Sequence, residues 1–230
     1  MNIGIVGFGK MGSEIFDLMH GVSSVDSIVV VSIEDIEQPA EKIVKNLDKS
    51  LRRKRITEEE YEKRKNSFRF THEVSDLKDC DLVIECIFEN MDAKKELFAA
   101  VSSVVSSSCI LATNTSSLSI DGIFENVPER SRCTGMHFFY PVKFSEYVEL
   151  NVTEQTSDKV TETLISLIRE AGKKPVIFRG MYHIYLNQYI SYCICAGIQL
   201  AEEKNCKHGS AMEEGRYCPE DNSCNSYKRS

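Results

Sequence analysis

Three residues in one short stretch carry the side chains that an alcohol-oxidising site needs. Ser116 lies in NTSS, His137 lies in GMHFFY, and Glu149 follows the histidine after twelve positions. A histidine can take the hydroxyl proton as hydride leaves carbon and can return it in the reverse direction. A glutamate on the other ring nitrogen fixes the tautomer and raises the basicity of the ring. These residues predict hydride transfer on an alcohol; the alternative is a core histidine packed beside two phenylalanines.

A glycine-rich turn near the N-terminus predicts a dinucleotide site. Gly7, Gly9 and Gly12 fit G-x-G-x-x-G between a strand-like run and a helix-like run. The first glycine allows the tight turn, the second lets the backbone approach the pyrophosphate, and the third permits close packing of helix on strand. The N-terminus of the following helix then faces the phosphates.

The end of the second predicted strand lacks the acid that usually binds the adenosine ribose. The letters IVVVS place Ser32 there, with Glu34 and Asp35 as substitutes from the following turn. An acid at this position is the feature that favours NAD over NADP, so its absence weakens the rejection of a 2′-phosphate. We expect NAD as the cofactor and leave NADP open.

The elements that position these residues follow from the alternation of apolar runs and helical patterns. Strands are predicted at residues 2–6, 27–31, 68–71, 82–85, 109–113, 132–138, 147–152 and 175–178. Helices are predicted at residues 11–20, 41–52, 57–66, 92–105, 157–171 and 184–203, the third of them opened by a capping box of Thr57 and Glu60. This order predicts an α/β fold: a Rossmann-type, doubly wound, mostly parallel sheet with a helical hairpin insertion.

The composition limits the class of protein and its compartment. The chain of 230 residues has a net charge of −7, which argues against general nucleic-acid binding. No apolar run reaches the ~20 residues of a membrane span, and the N-terminus does not resemble a signal peptide. We therefore expect a cytoplasmic protein that binds neither membrane nor nucleic acid.

The nine cysteines do not predict disulfides or a metal site. Cys80, Cys86, Cys109 and Cys133 lie in or beside apolar runs, where free cysteine behaves as a small hydrophobe. The other five fall in the last forty residues near His208, without a C-x-x-C pair. Residues 201–230 contain no Leu, Ile, Val or Phe, so we expect this tail to be disordered.

The glycine turn and the segment around His137 together resemble the short-chain L-3-hydroxyacyl-CoA dehydrogenases, including bacterial 3-hydroxybutyryl-CoA dehydrogenases. The resemblance rests on GFGKMG, DLVIECIFENMDAKKELF, NTSSLSI and GMHFFYPVKFSEYVEL. It implies hydride transfer between NAD(H) and the C3 hydroxyl or keto position of a 3-hydroxyacyl-CoA, in fatty-acid or butyrate metabolism.

The resemblance also implies roles for individual residues. His137 would be the acid and base, Glu149 its partner, and Ser116 and Asn187 the ligands of the substrate oxygen. The predicted cofactor-binding set is Gly7, Phe8, Gly9, Lys10, Met11, Gly12, Ser32, Glu89, Lys94, Ser116 and Tyr140. Without the resemblance, Glu89 and Lys94 would be interpreted as an acid at a helix N-terminus and an exposed helical lysine.

The charged helical hairpin after the second strand is the predicted surface for coenzyme A. Ten of the 28 basic residues lie between Lys45 and Arg69. In the resembled family this hairpin contacts coenzyme A, and Ser50, Arg53 and Lys54 are the best matches here. The alternative is a solvated hairpin without a ligand.

The chain departs from the family at three places. Tyr140 stands where an asparagine normally follows HFF, and residues 182–184 replace the proline-glycine-aromatic approach to Asn187. We expect residues 1–180 to form the NAD-binding domain and residues 181–230 to be a shortened remnant of the helical C-terminal domain. That domain normally forms the dimer, so a homodimer stays possible. The alternatives are a β-hydroxyacid dehydrogenase that does not use CoA substrates and a nucleotide-binding protein without turnover.

Overall fold

The computed structural model describes residues 1–180 and 192–200. They fall into two units, Met1–Tyr185 and Leu186–Ser230. The described part of the second unit is a helix over residues 192–200. Asn187, the ends of the helix predicted at residues 184–203, and the predicted disorder of the last thirty residues lie outside the described residues.

The first unit alternates strands and helices along the chain. Its strands are β1 Asn2–Val6, β2 Ser27–Val31, β3 Phe68–Thr71, β4 Leu82–Glu85, β5 Ile110–Thr113, β6 Cys133–Phe138, β7 Tyr147–Val152 and β8 Lys174–Arg179. Its α-helices are α1 Lys10–Met19, α2 Glu37–Arg52, α3 Glu58–Asn66, α4 Met91–Val104, α5 Ile120–Ile123 and α6 Asp158–Glu170. Short 3₁₀ helices cover Val74–Leu77 and Arg130–Arg132.

One eight-stranded sheet organises this unit, in the order β3-β2-β1-β4-β5-β6-β7-β8. Neighbouring strands are parallel except for the antiparallel pair β6 and β7. The reversal of strand order beside β1 is the switch point at which doubly wound sheets bind ligands. The predicted Rossmann-type fold is therefore confirmed.

The core has two layers because the central strands are buried on both faces. Ile3 and Ile5 of β1 pack with Ile84 of β4 on one face. Val6 of β1 and Val83 of β4 pack on the other face with helix α4. Each such side chain contributes ~1.5–3 kcal/mol relative to exposure. This burial on both faces explains why the strands are continuous apolar runs in the sequence.

Most predicted element bounds agree with the structure, and two differences have a local cause. The capping box of Thr57 and Glu60 at α3 is present. Helix α2 begins at Glu37, four residues earlier than predicted, because Asp35 Oδ1 accepts the hydrogen bond of the Glu37 N–H at 2.9 Å. Helix α5 was not predicted, since four residues are too few to show a helical period.

Three buried cysteines in or beside the sheet behave as small apolar side chains. Cys80, Cys109 and Cys133 are free and pack in the core layer that contains α4. Burial raises the pKa of the Cys80 thiol to about 11 and the pKa values of the Cys109 and Cys133 thiols to about 12. These thiols therefore stay protonated near neutral pH, as the apolar surroundings predict.

In the ranges that the structure describes, no helix is both long and apolar enough to cross a bilayer.

Candidate active site

The glycine turn has the backbone geometry that a dinucleotide requires. Gly7 has φ of 95°, and a Cβ there would lie 2.7 Å from the Cys86 carbonyl oxygen. A Cβ at Gly12 would lie 2.0 Å from the Gly7 carbonyl oxygen, which only glycine can avoid. Among the residues that the structure describes, nothing lies within 4 Å of a Cβ at Gly9, so the backbone there is open to a ligand. The three predicted glycine roles are consistent with this geometry.

A cleft of about 870 Å³ lies beside the glycine turn. The turn contributes Phe8, Gly9 and Lys10, and helix α2 contributes Lys42 and Lys49. Helix α1 begins at Lys10 directly behind the turn, so its N-terminal N–H groups face the ligand position. The open backbone at Gly9 and the start of α1 are suited to the pyrophosphate of a dinucleotide.

Ser32 lies where the ribose-binding acid was expected, at the end of β2. The residue is buried, and its Oγ accepts the Glu34 N–H at 3.1 Å. Asp35 is committed to the start of α2, since its Oδ1 accepts the N–H groups of Glu37 and Gln38. Asp35 and Glu34 were the two proposed substitutes for the missing acid. Since the carboxylate of Asp35 is bonded to the start of α2, Glu34 is the better candidate of the two.

His137 and Glu149 face each other across the antiparallel pair β6 and β7. They are direct partners in the strand register, and Nδ1 of the histidine lies 2.9 Å from Oε2 of the glutamate. The side chains are only 7% and 2% exposed. With Nδ1 as the donor to the Glu149 carboxylate, Nε2 is the ring atom that can exchange a proton with a ligand.

Asn114 joins the ends of three neighbouring strands beside this pair. Its N–H donates to the Glu85 carbonyl at 3.0 Å, and its Oδ1 accepts the Phe138 N–H at 2.8 Å. Phe138 directly follows the catalytic candidate His137 in β6. The asparagine stood in a quoted motif without a predicted role, and the structure shows that it fixes the Ser116 loop to the histidine strand.

Glu89 holds the loop that carries Ser116. Its Oε1 accepts hydrogen bonds from Thr115 Oγ1 at 2.5 Å and from the N–H groups of Ser116 at 2.9 Å and Ser117 at 3.0 Å. Burial raises the pKa of the Glu89 carboxyl, but these hydrogen bonds and the Lys94 charge outweigh it and lower the pKa to about 2. The carboxylate is therefore ionised at any physiological pH.

Lys94 lies on helix α4 and is buried against two carboxylates that precede the helix. It is 1% exposed, and its Nζ lies 2.6 Å from Glu85 Oε1 and 3.2 Å from Glu89 Oε2. The interpretation as an exposed helical lysine is therefore wrong. Burial raises the pKa of Glu85, and Lys94 and the hydroxyl of Thr113 oppose that rise. Glu85 was missed, because its position inside an apolar strand suggested only a core role.

The remaining predicted residues are spread around the site. Tyr140 follows β6 and is 61% exposed. Ser50 Oγ donates to the Asn46 carbonyl within α2, and Arg53 and Lys54 lie where that helix ends. Ser50, Arg53 and Lys54 are not among the residues that line the cleft.

The sequence and fold match a known family and known structures. The family described as "3-hydroxyacyl-CoA dehydrogenase, NAD binding domain" matches residues 2–181. The mitochondrial hydroxyacyl-coenzyme A dehydrogenase of Rattus norvegicus is 31% identical over 211 residues, which cover 87% of this chain and 66% of that protein. The chain spans 28% of a Cucumis sativus glyoxysomal multifunctional protein, so it covers less than two thirds of these relatives.

Two solved structures share this architecture. The (S)-3-hydroxybutyryl-CoA dehydrogenase PaaH1 of Ralstonia eutropha has a TM-score of 0.73 and 28% identity, covering 94% of this chain and 78% of that one. FadB2 of M. tuberculosis has a TM-score of 0.74 and 29% identity, covering 88% and 72%. With the family match over 2–181, these similarities show that the chain belongs to the 3-hydroxyacyl-CoA dehydrogenase family through its NAD-binding domain.

Proposed function

We propose that this chain transfers hydride between NAD(H) and the C3 hydroxyl or keto position of a 3-hydroxyacyl-CoA. The buried pair of His137 and Glu149 supports the proposal most directly. It lies at the carboxyl end of the sheet, where open α/β folds bind their ligands. The names of the relatives support the same reaction class.

His137 supplies the proton chemistry of this reaction. When the nicotinamide is bound, it accepts or donates the hydride. Nε2 of His137 takes the proton of the substrate hydroxyl in the oxidative direction and returns it in the reductive direction. Glu149 keeps the other ring nitrogen protonated and stabilises the imidazolium that forms.

Ser116 and Asn187 are proposed to hold the substrate oxygen. Ser116 lies in the loop that Glu89 and Asn114 fix beside the histidine strand. Asn187 lies outside the described residues, and its role rests on the resemblance alone. A hydroxyl and an amide donating to this oxygen would stabilise the alkoxide character of the transition state.

Glu89 and Lys94 are proposed to act on the cofactor as a unit. Lys94 is 1% exposed and contacts both Glu85 and Glu89, so we propose that it acts on the cofactor together with the carboxylate of Glu89. Glu89 is partly exposed, and it joins the loop of Ser116 to helix α4. Tyr140 is exposed next to the histidine strand and is proposed as a contact on the nicotinamide side.

Coenzyme A is proposed to lie along the basic helical hairpin. Ser50, Arg53 and Lys54 at the end of α2 are the proposed contacts. Protection of Lys54 from acetylation by coenzyme A, read by peptide mass mapping, supports this site. Equal modification with and without coenzyme A, together with turnover of a β-hydroxyacid lacking CoA, would favour the alternative dehydrogenase.

The decisive experiment measures NADH consumption with acetoacetyl-CoA for the wild type and His137→Gln. Turnover that disappears in the variant, while NADH binding persists, supports the proposal. NADH binding without turnover in the wild type would instead support the nucleotide-binding protein. Absence of NADH binding would contradict both functions.

A cytoplasmic location and a homodimer remain further proposals. The free, buried thiols of Cys80, Cys109 and Cys133 suit a reducing compartment. Some relatives are mitochondrial or glyoxysomal by name, so fractionation of cells that express the chain tests the location. Light scattering of the purified chain tests the dimer.

A further inference from the structure

We propose that Glu14 is a positioning residue for hydride transfer, because it fixes the loop after His137 to the helix that begins at the dinucleotide turn. This role rests on the proposed dehydrogenase function. The loop, residues 139–146, connects β6 with β7 and carries Tyr140. Glu14 lies two residues after the last glycine of the turn, outside every motif that predicted a site residue.

Glu14 holds the loop from the helix that faces the pyrophosphate. Helix α1 begins at Lys10, and Glu14 follows about 6 Å further along the helix axis. Its Oε2 accepts the hydrogen bond of the Val142 N–H at 2.5 Å. Val142 is buried, so its N–H depends on a partner within the protein. One hydrogen bond thus joins the dinucleotide-binding helix to the loop.

Lys173 holds the same loop from a second element. It lies between α6 and β8, and its Nζ donates to the Val142 carbonyl at 2.7 Å and to the Ser145 carbonyl at 2.6 Å. The side chain of Val142 packs in the core layer that contains Ile3. The N–H, the carbonyl and the side chain of Val142 are thus all held. Of the two polar contacts, that of Glu14 comes from the helix behind the glycine turn.

A short segment connects this contact to the proton-exchanging histidine. Strand β6 ends at Phe138, four residues before Val142. Within the segment, the ring of Phe139 meets the ring of His137 edge-on, with 4.6 Å between the centroids. A displacement of Val142 is therefore passed on to the end of β6. The Glu14 contact sets the distance between the start of α1, which faces the pyrophosphate, and the histidine ring.

Hydride transfer depends steeply on that distance, because the two carbon atoms that exchange the hydride must be in close contact. A misplacement of about 1 Å can lower the rate by about a hundredfold. Glu14 exchanges no proton in this role, since its carboxyl acts as a hydrogen-bond acceptor. Glutamine keeps an acceptor oxygen on a side chain of the same length, whereas alanine removes it. The two substitutions therefore separate the hydrogen bond from the charge.

The test measures steady-state kinetics with NADH and acetoacetyl-CoA for the wild type, Glu14→Ala and Glu14→Gln. We expect Glu14→Ala to lower kcat by at least about tenfold while the KM for NADH stays within about threefold. Glu14→Gln should keep kcat within about threefold of the wild type. The isotope effect on kcat with NADH deuterated at the transferred position should rise in Glu14→Ala, because hydride transfer becomes the slower step. Glu162→Ala, on the exposed surface of α6, is the control and should leave kcat unchanged.

Thermal unfolding of each variant separates positioning from stability. Wild-type kcat in folded Glu14→Ala would overturn the inference alone, because the contact would then serve stability only. An equal loss of kcat in Glu14→Gln would also overturn it, since the acceptor would not be the active feature. Glu14→Asp, whose acceptor is retracted by one methylene, gives the same test if alanine prevents folding. Absence of turnover in the wild type would overturn the proposed function and this role with it.

Discussion

Two buried pairs of a basic and an acidic side chain lie near the carboxyl ends of the parallel strands. They differ in whether the basic group has an atom left to exchange a proton with a ligand. His137 pairs with Glu149 through one ring nitrogen, whereas Lys94 lies between the carboxylates of Glu85 and Glu89. The histidine keeps a second nitrogen for a ligand. The lysine has a single nitrogen, and two carboxylates already engage it.

The contrast teaches that burial and pairing do not by themselves mark a group for proton transfer. A group that exchanges protons needs an atom left for the substrate and a pKa near the working pH. A buried lysine between two acids instead sets the position of its neighbours. Lys94 fixes Glu89, which fixes the loop of Ser116.

The largest expected effect comes from removing the proton-exchanging member. His137→Gln should lower turnover of acetoacetyl-CoA by about 10²–10⁴-fold, because general acid–base catalysis supplies a factor of that size. NADH binding should stay within about twofold, since the histidine is not in the glycine turn. Steady-state kinetics and dinucleotide fluorescence measure the two quantities.

The control for this variant is His20→Gln. His20 contacts the carbonyl of Arg64, which lies just before β3. Strand β3 is far from β6 and β7 in the strand order, and His20 has no proposed part in catalysis. A comparable loss of turnover in His137→Gln and His20→Gln would contradict the assignment of proton exchange to His137.

The second effect concerns stability at the lysine pair. Lys94→Met should lower the free energy of unfolding by about 3–5 kcal/mol, because it leaves Glu85 buried without its cation. The neighbouring Lys95→Met should cost much less, since Lys95 pairs with Glu125, an acid that is 58% exposed. Urea denaturation measures both. Equal losses would show that Glu85 does not depend on Lys94.

The third effect is a pH dependence at Glu89. Its folded pKa of about 2 lies below its usual value, so its contribution to stability is present above pH ~4.5 and is lost as pH falls towards 2. The free energy of unfolding of the wild type should exceed that of Glu89→Gln by about 1–2 kcal/mol at pH 7, after allowance for solvent screening. Denaturation at several pH values should show this difference shrinking below pH ~4.5. A difference that grows on acidification would contradict the assigned direction.

The smallest effect tests how the loop donors share Glu89. Ser117→Ala removes one hydroxyl donor at 3.1 Å, while the Thr115 hydroxyl and the backbone N–H groups remain. We expect a loss of about 0.5–1 kcal/mol in the free energy of unfolding. A loss as large as that of Glu89→Gln would mean that this hydroxyl dominates the contact.

Much of the fold was predictable because local patterns reflect burial. Strands β1, β2 and β4 are apolar runs that end at polar or glycine positions, and their predicted bounds are confirmed. The predicted start of α2 was wrong by four residues, because the side chain of Asp35 in the preceding turn sets where the helix begins. Helix α5 was missed because its four residues show no periodicity.

The sequence by itself determined the alternation of elements, the glycine turn and the spacing of His137 and Glu149. These features are local, or they repeat a family motif. The identity of each residue in them is enough to state the chemistry expected there.

Only the tertiary structure decided which polar groups meet. The contact of Lys94 with Glu85 depends on how α4 packs on the sheet, and the contact of His72 with Ser32 depends on the pairing of β3 with β2. In each contact, the spacing of the two residues along the chain matches no residue pattern that would reveal the contact. Long-range packing sets these distances, because a buried polar group must find its partner wherever the fold brings one.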